Sequence, residues 1–204
     1  MKIDFSFETK YGRFADALHL PDDHGLTDDE IEAMKQQRLT NWLAIIENPG
    51  EPVNPDIVVG YHPTPDKILS KLLQAANLSS SDVLYDLGCG DGNVIINAAT
   101  NYKCKCVGFD LSEQRINNCK ENIAKANVQD KVSVTLGNVF EQDCSDATVV
   151  YVWLTQSAVI DLETKLFSLK TGTKIITYEH LFSSHTPDYV VTDNDNIGYI
   201  WIVG

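Results

Sequence analysis

The chain has 204 residues, 43% of them hydrophobic, and a net charge of -13; that length supports a domain with a sizeable core. Its apolar runs are far short of a bilayer span, and Met1-Lys2-Ile3-Asp4 meets an acid at once instead of opening a secretory leader. A soluble, cytoplasmic protein with no membrane partner is therefore expected. The 29 acids, against 16 Lys and Arg, are spread along the chain and no basic cluster outlines a phosphate-tracking groove, so nucleic acid is not an expected partner; a basic protein or an amine suits the charge, and the same acids serve solubility.

In chain order, Asp4 to Phe7 alternates as a short strand, Tyr11 to Leu20 is mixed, and Pro21-Asp22-Asp23-His24-Gly25 is a loop. Thr27 and Glu30 make a capping box. The helix behind it runs from about Asp28 to Glu47, with Ile31, Met34, Arg38, Leu39, Trp42, Ile45 and Ile46 near one face. Asn48-Pro49-Gly50-Glu51-Pro52 ends it, and Asn54-Pro55 extends a linker. Residues 1–55 thus read as an N-terminal helical appendage (strand and loop plus amphipathic helix), and 56–204 as the main domain.

Thr64 can cap a helix from Pro65 to Asn77, with proline at its first position. Strands at 82–87, 104–110, 131–136, 148–153, 173–179, 188–193 and 198–203 follow, with helices at about 92–101, 112–126 and 157–168. The repeated strand-helix-strand pattern predicts an α/β fold, a doubly wound Rossmann-like seven-stranded sheet of parallel strands. Asp193-Asn194-Asp195-Asn196 leaves room only for a turn, so the last two strands should form an antiparallel hairpin. Cys89, Cys104, Cys106, Cys119 and Cys144 include no C-x-x-C and no zinc spacing, which predicts reduced, mostly buried thiols and no metal. Cys104 and Cys106 should share a strand face.

The organising stretch is Val83-Leu84-Tyr85-Asp86-Leu87-Gly88-Cys89-Gly90-Asp91-Gly92-Asn93, a buried strand that turns through glycines into a helix. Such a turn lets backbone approach a ligand and offers the helix N-terminus to it. The spacing fails the dinucleotide fingerprint, because position 93 is Asn, and no lysine lies between Lys71 and Lys103 for a phosphate-binding Walker loop. Asp110, ending the next strand, can accept both hydroxyls of a ribose, and Asp86 offers negative charge to an α-ammonium. With no base at hand for a pyrophosphate, the combination suits S-adenosylmethionine: an amino acid, a sulfonium and one nucleoside.

These features resemble class I S-adenosylmethionine-dependent methyltransferases. Residues 61–204 resemble more narrowly the archaeal protein lysine methyltransferases of the seven-β-strand class, and more distantly their mitochondrial relatives. The resemblance is carried by His62-Pro63-Thr64-Pro65, the glycine motif, Gly137-Asn138-Val139-Phe140-Glu141, Ala147-Thr148-Val149-Val150, Leu169-Lys170-Thr171-Gly172-Thr173 and Tyr199-Ile200-Trp201-Ile202-Val203-Gly204. The chain departs at Asn93, where arginine is common, and at Trp153, where members carry an aliphatic residue. The resemblance implies that Asp86, Gly88 and Gly90 hold the methionine end of the cofactor, that Asp110 holds the ribose, that Asn138 and Val139 flank the adenine with the Asn side chain reading its amino group, and that Cys89, Leu111 and Trp153 also contact the cofactor. It also implies that Tyr61 and Thr64 close over the methionine end.

Tyr151, Trp153 and Glu179, with Leu154 and His180 nearby, fall near the carboxyl ends of their strands, the edge where ligands bind such sheets. An aromatic lining suits a lysine stem. Tyr151, Trp153 and Glu179 are accordingly the candidate acceptor-pocket residues. Glu179 and His180 would point to opposite faces if the strand continues, so they are no acid–base pair. Val150-Tyr151-Val152-Trp153-Leu154 lacks the Asn/Asp-Pro-Pro-Tyr/Phe sequence used on exocyclic amines of bases. The expected function is methyl transfer from S-adenosylmethionine to an amine, foremost the lysine side chain of a protein substrate. A small-molecule acceptor, or an inactive cofactor-binding interaction module, are the alternatives.

Overall fold

The computed structural model describes residues 2–10, 12–19, 27–47 and 63–204. The chain divides into two compact units, Met1–Gly60 and Tyr61–Gly204; the expected boundary at 55/56 lies outside the described residues. Among the described residues no helix is long and apolar enough to cross a membrane.

The N-terminal unit holds β1 (Lys2–Thr9), β2 (Gly12–His19) and α1 (Asp28–Glu47). The expected short strand is one arm of a full antiparallel hairpin pairing Lys2 with His19 through Thr9 with Gly12. The second arm is illegible in the sequence because Asp16 stands opposite Phe5, breaking the apolar alternation of Phe14 and Leu18. That acid is satisfied from afar, by Arg38 of α1 at 2.7 Å. The capping box forms: Thr27 N donates to Glu30 Oε2 at 2.7 Å, and Glu30 N to Thr27 Oγ1 at 3.3 Å. Among the described residues, Leu18 and Ile31 are buried together in this unit, with Ile3, Phe5 and Met34 against them. The side chains of Trp42, Ile45 and Ile46, expected on the same helix face, lie outside the described residues.

The second unit contains α2 (Asp66–Ala75), β3 (Val83–Leu87), α3 (Asn93–Tyr102), β4 (Lys105–Asp110), α4 (Glu113–Lys125), β5 (Val132–Leu136), β6 (Val149–Val152), α5 (Gln156–Phe167), β7 (Lys174–Tyr178), β8 (Tyr189–Asp193) and β9 (Asn196–Ile202). The sheet order is β5-β4-β3-β6-β7-β9-β8. β3 to β7 are parallel; β9 pairs antiparallel with β7 and β8. The seven-stranded α/β sheet with its closing hairpin is as the sequence predicts. Apolar faces of α2, α3 and α4 form one core cluster, including Leu69, Leu72, Ile95, Ala98 and Ile123. α5 covers a second cluster with Val150, Leu162, Leu166 and Trp201. Central strands covered by both clusters read as continuous apolar runs, which makes them easy to find.

One expectation is corrected at α2. Pro65 is the N-cap, not the first helical residue, and Thr64 makes no capping bond. Its hydroxyl is instead 2.7 Å from the Tyr151 hydroxyl. All five cysteines are free and buried, with the Cys104 and Cys106 sulfurs 3.7 Å apart on the shared strand face.

Candidate active site

The strand order reverses at β3, between β4 and β6, and the carboxyl edge there is the ligand-binding position of open α/β sheets. The turn after β3 passes there. Gly88, Gly90 and Gly92 have φ of 97°, 51° and 91°, a left-handed region that residues with a Cβ avoid. The N–H groups of Gly88 and Cys89 both donate to Phe109 O at 2.9 Å, tying the turn to β4. Cys89 turns its side chain into the core over Gly108, where a Cβ would lie 2.8 Å from the Cys89 sulfur. Only the main chain of Cys89 is therefore offered to a ligand. Gly108 is a requirement of the site that sequence reading missed; a glycine inside a strand, two residues before Asp110, is the signal that marks it.

Asp110 organises the edge. Its Oδ2 accepts from Gly90 N and its Oδ1 from Ser112 N, each at 2.9 Å. Ser112 then caps α4, accepting from Arg115 N at 3.3 Å. One carboxylate thus fixes both the glycine turn and the next helix start, and each oxygen keeps a lone pair for a ligand hydroxyl. Leu111 beside it is half exposed (50%), as are Leu136 (50%) and Phe140 (44%), an apolar rim suited to a flat ring.

Asp86 is 3% exposed. It has no hydrogen-bond partner among the described residues. Burial first, and repulsion from Asp110 second, push its carboxyl up to about 8. Asp86 pairs across the sheet with Tyr151, which is 1% exposed and whose hydroxyl burial pushes well above its ordinary range. Thr64 is joined to the turn as well: Asn93 Nδ2 donates to its carbonyl at 2.9 Å. Trp153 packs edge-on against Tyr178 with ring centroids 4.9 Å apart. Leu154 lies over Gly88, within 2.6 Å of where its Cβ would be.

Glu179 follows β7 instead of ending it. Its φ of 65° is left-handed and its side chain is exposed, while its N–H donates to Ile197 O at 2.9 Å. The expected strand through 179 is thus one residue too long. The structure brings Asp86, Gly88, Gly90, Asp110, Thr64, Tyr151 and Trp153 to one edge. Tyr61 lies outside the described residues.

The loop after β5 carries Asn138 and Val139. Asn138 Oδ1 accepts from Phe140 N at 3.1 Å, and the Val139 side chain is core. Lys165 of α5, which sequence reading did not single out, holds this loop: its ammonium donates to the carbonyls of Val139, Phe140 and Gln142 at 2.9, 3.1 and 2.5 Å. Glu163, one residue pair earlier, holds the segment after β7. Burial alone would raise its carboxyl, but hydrogen bonds from Ser183, His185 and Ser184 outweigh that and bring it down to about 2. His185 Nδ1 lies 2.7 Å from it, its ring stacked on Phe167.

A glycine turn, a carboxylate at the neighbouring strand end and a closing antiparallel hairpin define the class: a class I S-adenosylmethionine-dependent methyltransferase. Residues 86–189 match the ANTKMT methyltransferase domain family, and the chain belongs to that family. A protein-lysine N-methyltransferase of Saccharolobus islandicus is 37% identical over 152 residues, 72% of this chain and 94% of the relative. An RNA methyltransferase from Salinibacter ruber, solved with S-adenosyl-L-homocysteine, superposes with a TM-score of 0.68 at 33% identity, covering 70% of this chain and 94% of that one. A precorrin 8W decarboxylase from Methanobacterium thermoautotrophicum shares the fold at TM-score 0.56 and 19% identity, over 72% and 93% of the chains. The cradle fits the class cofactor: Asp86 is a buried carboxyl group lacking a partner among the described residues, at the start of a glycine turn that Asp110 fixes through Gly90 N.

Proposed function

We propose that this protein transfers a methyl group from S-adenosylmethionine to the side-chain nitrogen of lysine in a protein. The observation that carries this reading is the 37% identity to the Saccharolobus protein-lysine N-methyltransferase over 72% of this chain and 94% of the relative. The site chemistry supports it. Asp86 receives the α-ammonium, Asp110 the ribose hydroxyls, and Asn138 with the Val139 backbone the adenine edge. Trp153, backed by Tyr178 edge-on and packed on the core cluster that holds Tyr151, offers an aromatic wall that suits an aliphatic stem ending in an amine.

When bound, the cofactor supplies an electrophilic methyl and a good leaving group. The protein's task is chiefly alignment, which can account for much of the rate. Tyr151 is fixed by Thr64 and Trp153 by Tyr178, so the wall is rigid before an acceptor arrives. A lysine must be neutral to attack, and only about one in a few thousand is neutral at pH 7 without help. Burial against the aromatic wall favours the neutral amine; the exposed Glu179 attracts the cation from solvent.

The Salinibacter structure raises RNA as a second acceptor. The net charge of -13 disfavours it, because an acidic surface repels phosphates. Peptide mapping by mass spectrometry separates the readings. After incubation of a lysine-rich protein with enzyme and S-adenosylmethionine, added methyl groups should map to lysine. Methylation of RNA alone would replace this reading with the second.

A further inference from the structure

Tyr178 ends β7 at the carboxyl edge of the sheet, 3% exposed and edge-on to Trp153. A buried phenol hydroxyl needs a partner. Tyr178 donates to Oδ1 of Asn196, the first residue of β9. The reaction described above makes no use of Asn196, and asparagine is depleted in strands. The left-handed residue of the hairpin turn is Asn194, with φ of 53°, so the turn backbone does not call for asparagine at 196.

The carboxamide is held in one orientation. Asn196 Nδ2 donates to Asp193 O at 3.1 Å. A carbonyl only accepts, so the amide nitrogen faces it and the amide oxygen faces the phenol. Burial first, and the charge of Glu179 second, push the Tyr178 hydroxyl up to about 12. The phenol therefore keeps its proton at neutral pH and stays the donor. The turn is itself held from α2: Lys71 Nζ lies 2.9 Å from Asp193 Oδ1 and donates to Thr192 O at 3.0 Å. A hydroxyl fixed at the far end of the side chain stops the Tyr178 ring from tilting away from Trp153. Trp153 is half-buried, so it keeps surface for an acceptor.

We propose that Asn196 is a positioning residue for methyl transfer: through the Tyr178 hydroxyl it sets the angle at which Trp153 faces the acceptor. The proposal rests on the reading of Trp153 as the wall of the acceptor pocket. An amine held off the line of the sulfonium methyl reacts slowly even when it is bound.

The test uses the full chain with its three tryptophans replaced by fluorotryptophan, followed by fluorine NMR, with Trp153→Phe to assign the resonance. Asn196→Ala should shift or broaden the Trp153 resonance, and so should Tyr178→Phe. The two together should do no more than either alone, because both remove the same link. On a lysine-rich protein, kcat should fall about tenfold in each variant, while the affinity for S-adenosylmethionine, read by calorimetry, stays within about twofold. That retained affinity also shows that the variants fold. An unmoved Trp153 resonance in Asn196→Ala, or effects that add in the double variant, overturn the proposal. So does a moved resonance with kcat intact, or a lower Tm with both unchanged, the mark of a turn residue only. Should the wild type leave lysine unmethylated, the lysine reading fails, and the resonance alone upholds or overturns the link from Asn196 to Trp153.

Discussion

Asp86 shows how one buried side chain couples binding to pH. Burial and Asp110 hold its carboxyl at about 8 in the free protein, far above the ordinary value of about 4. The folded chain therefore keeps a proton that the unfolded chain releases. The stability this lends is whole below about pH 4 and is lost as pH rises through about 8. An arriving ammonium needs the ionised form, so cofactor binding near pH 7 should release close to one proton, less as pH passes about 8. Calorimetry in two buffers of different protonation enthalpy measures this, and Asp86→Asn should abolish the release and weaken binding. Binding without proton release at about pH 7 would mean the ammonium sits elsewhere. At this scale the sequence was informative. Asp86, Gly88, Gly90 and Asp110 are legible because their residue types and spacing are themselves the chemistry. Thr64 was misread because a hydroxyl before a proline looks like a helix cap, while its partner Tyr151 is 87 residues away.

Between elements, the site depends on α5 reaching across to the loop after β5. Lys165 satisfies three carbonyls there. Lys165→Met keeps the stem and removes the donors. It should cost about 1–3 kcal/mol of stability in urea denaturation, with a fall in cofactor affinity because Asn138 and Val139 lose their fixed position. A variant that loses stability and keeps its cofactor affinity would separate the loop from the adenine. No local pattern marks Lys165, since a lysine near a helix C-terminus ordinarily complements the helix dipole. The same limit hid β2. Its alternation is broken by Asp16, whose charge is answered by Arg38 from α1. Elements that bury apolar runs on their own terms, such as β3, β4 and β6, were readable; those completed by a distant charge were not.

For the whole molecule, among the described residues, the two core clusters of the second unit run from Ile68 to Val203, and the first unit buries Leu18 and Ile31. A protein beginning near Pro52 should fold and bind S-adenosylmethionine within about twofold of the full chain, as an independent domain does. A molten or insoluble product would show that residues 1–51 complete its core. The parallel sheet and its closing hairpin were legible because strands alternate with helices and the last two strands leave no room for one; the strand order was not read. The acceptor was not, because its pocket is assembled from strand ends whose residues also serve as core. The most direct test of lysine methylation is labelled methyl transfer to a basic protein between about pH 7 and 9, with the product hydrolysed to identify the modified amino acid. The rate should climb across that range, following deprotonation of the amine, with all label recovered as methylated lysine. A flat profile, with label on a carboxylate or a small molecule, would contradict the lysine assignment.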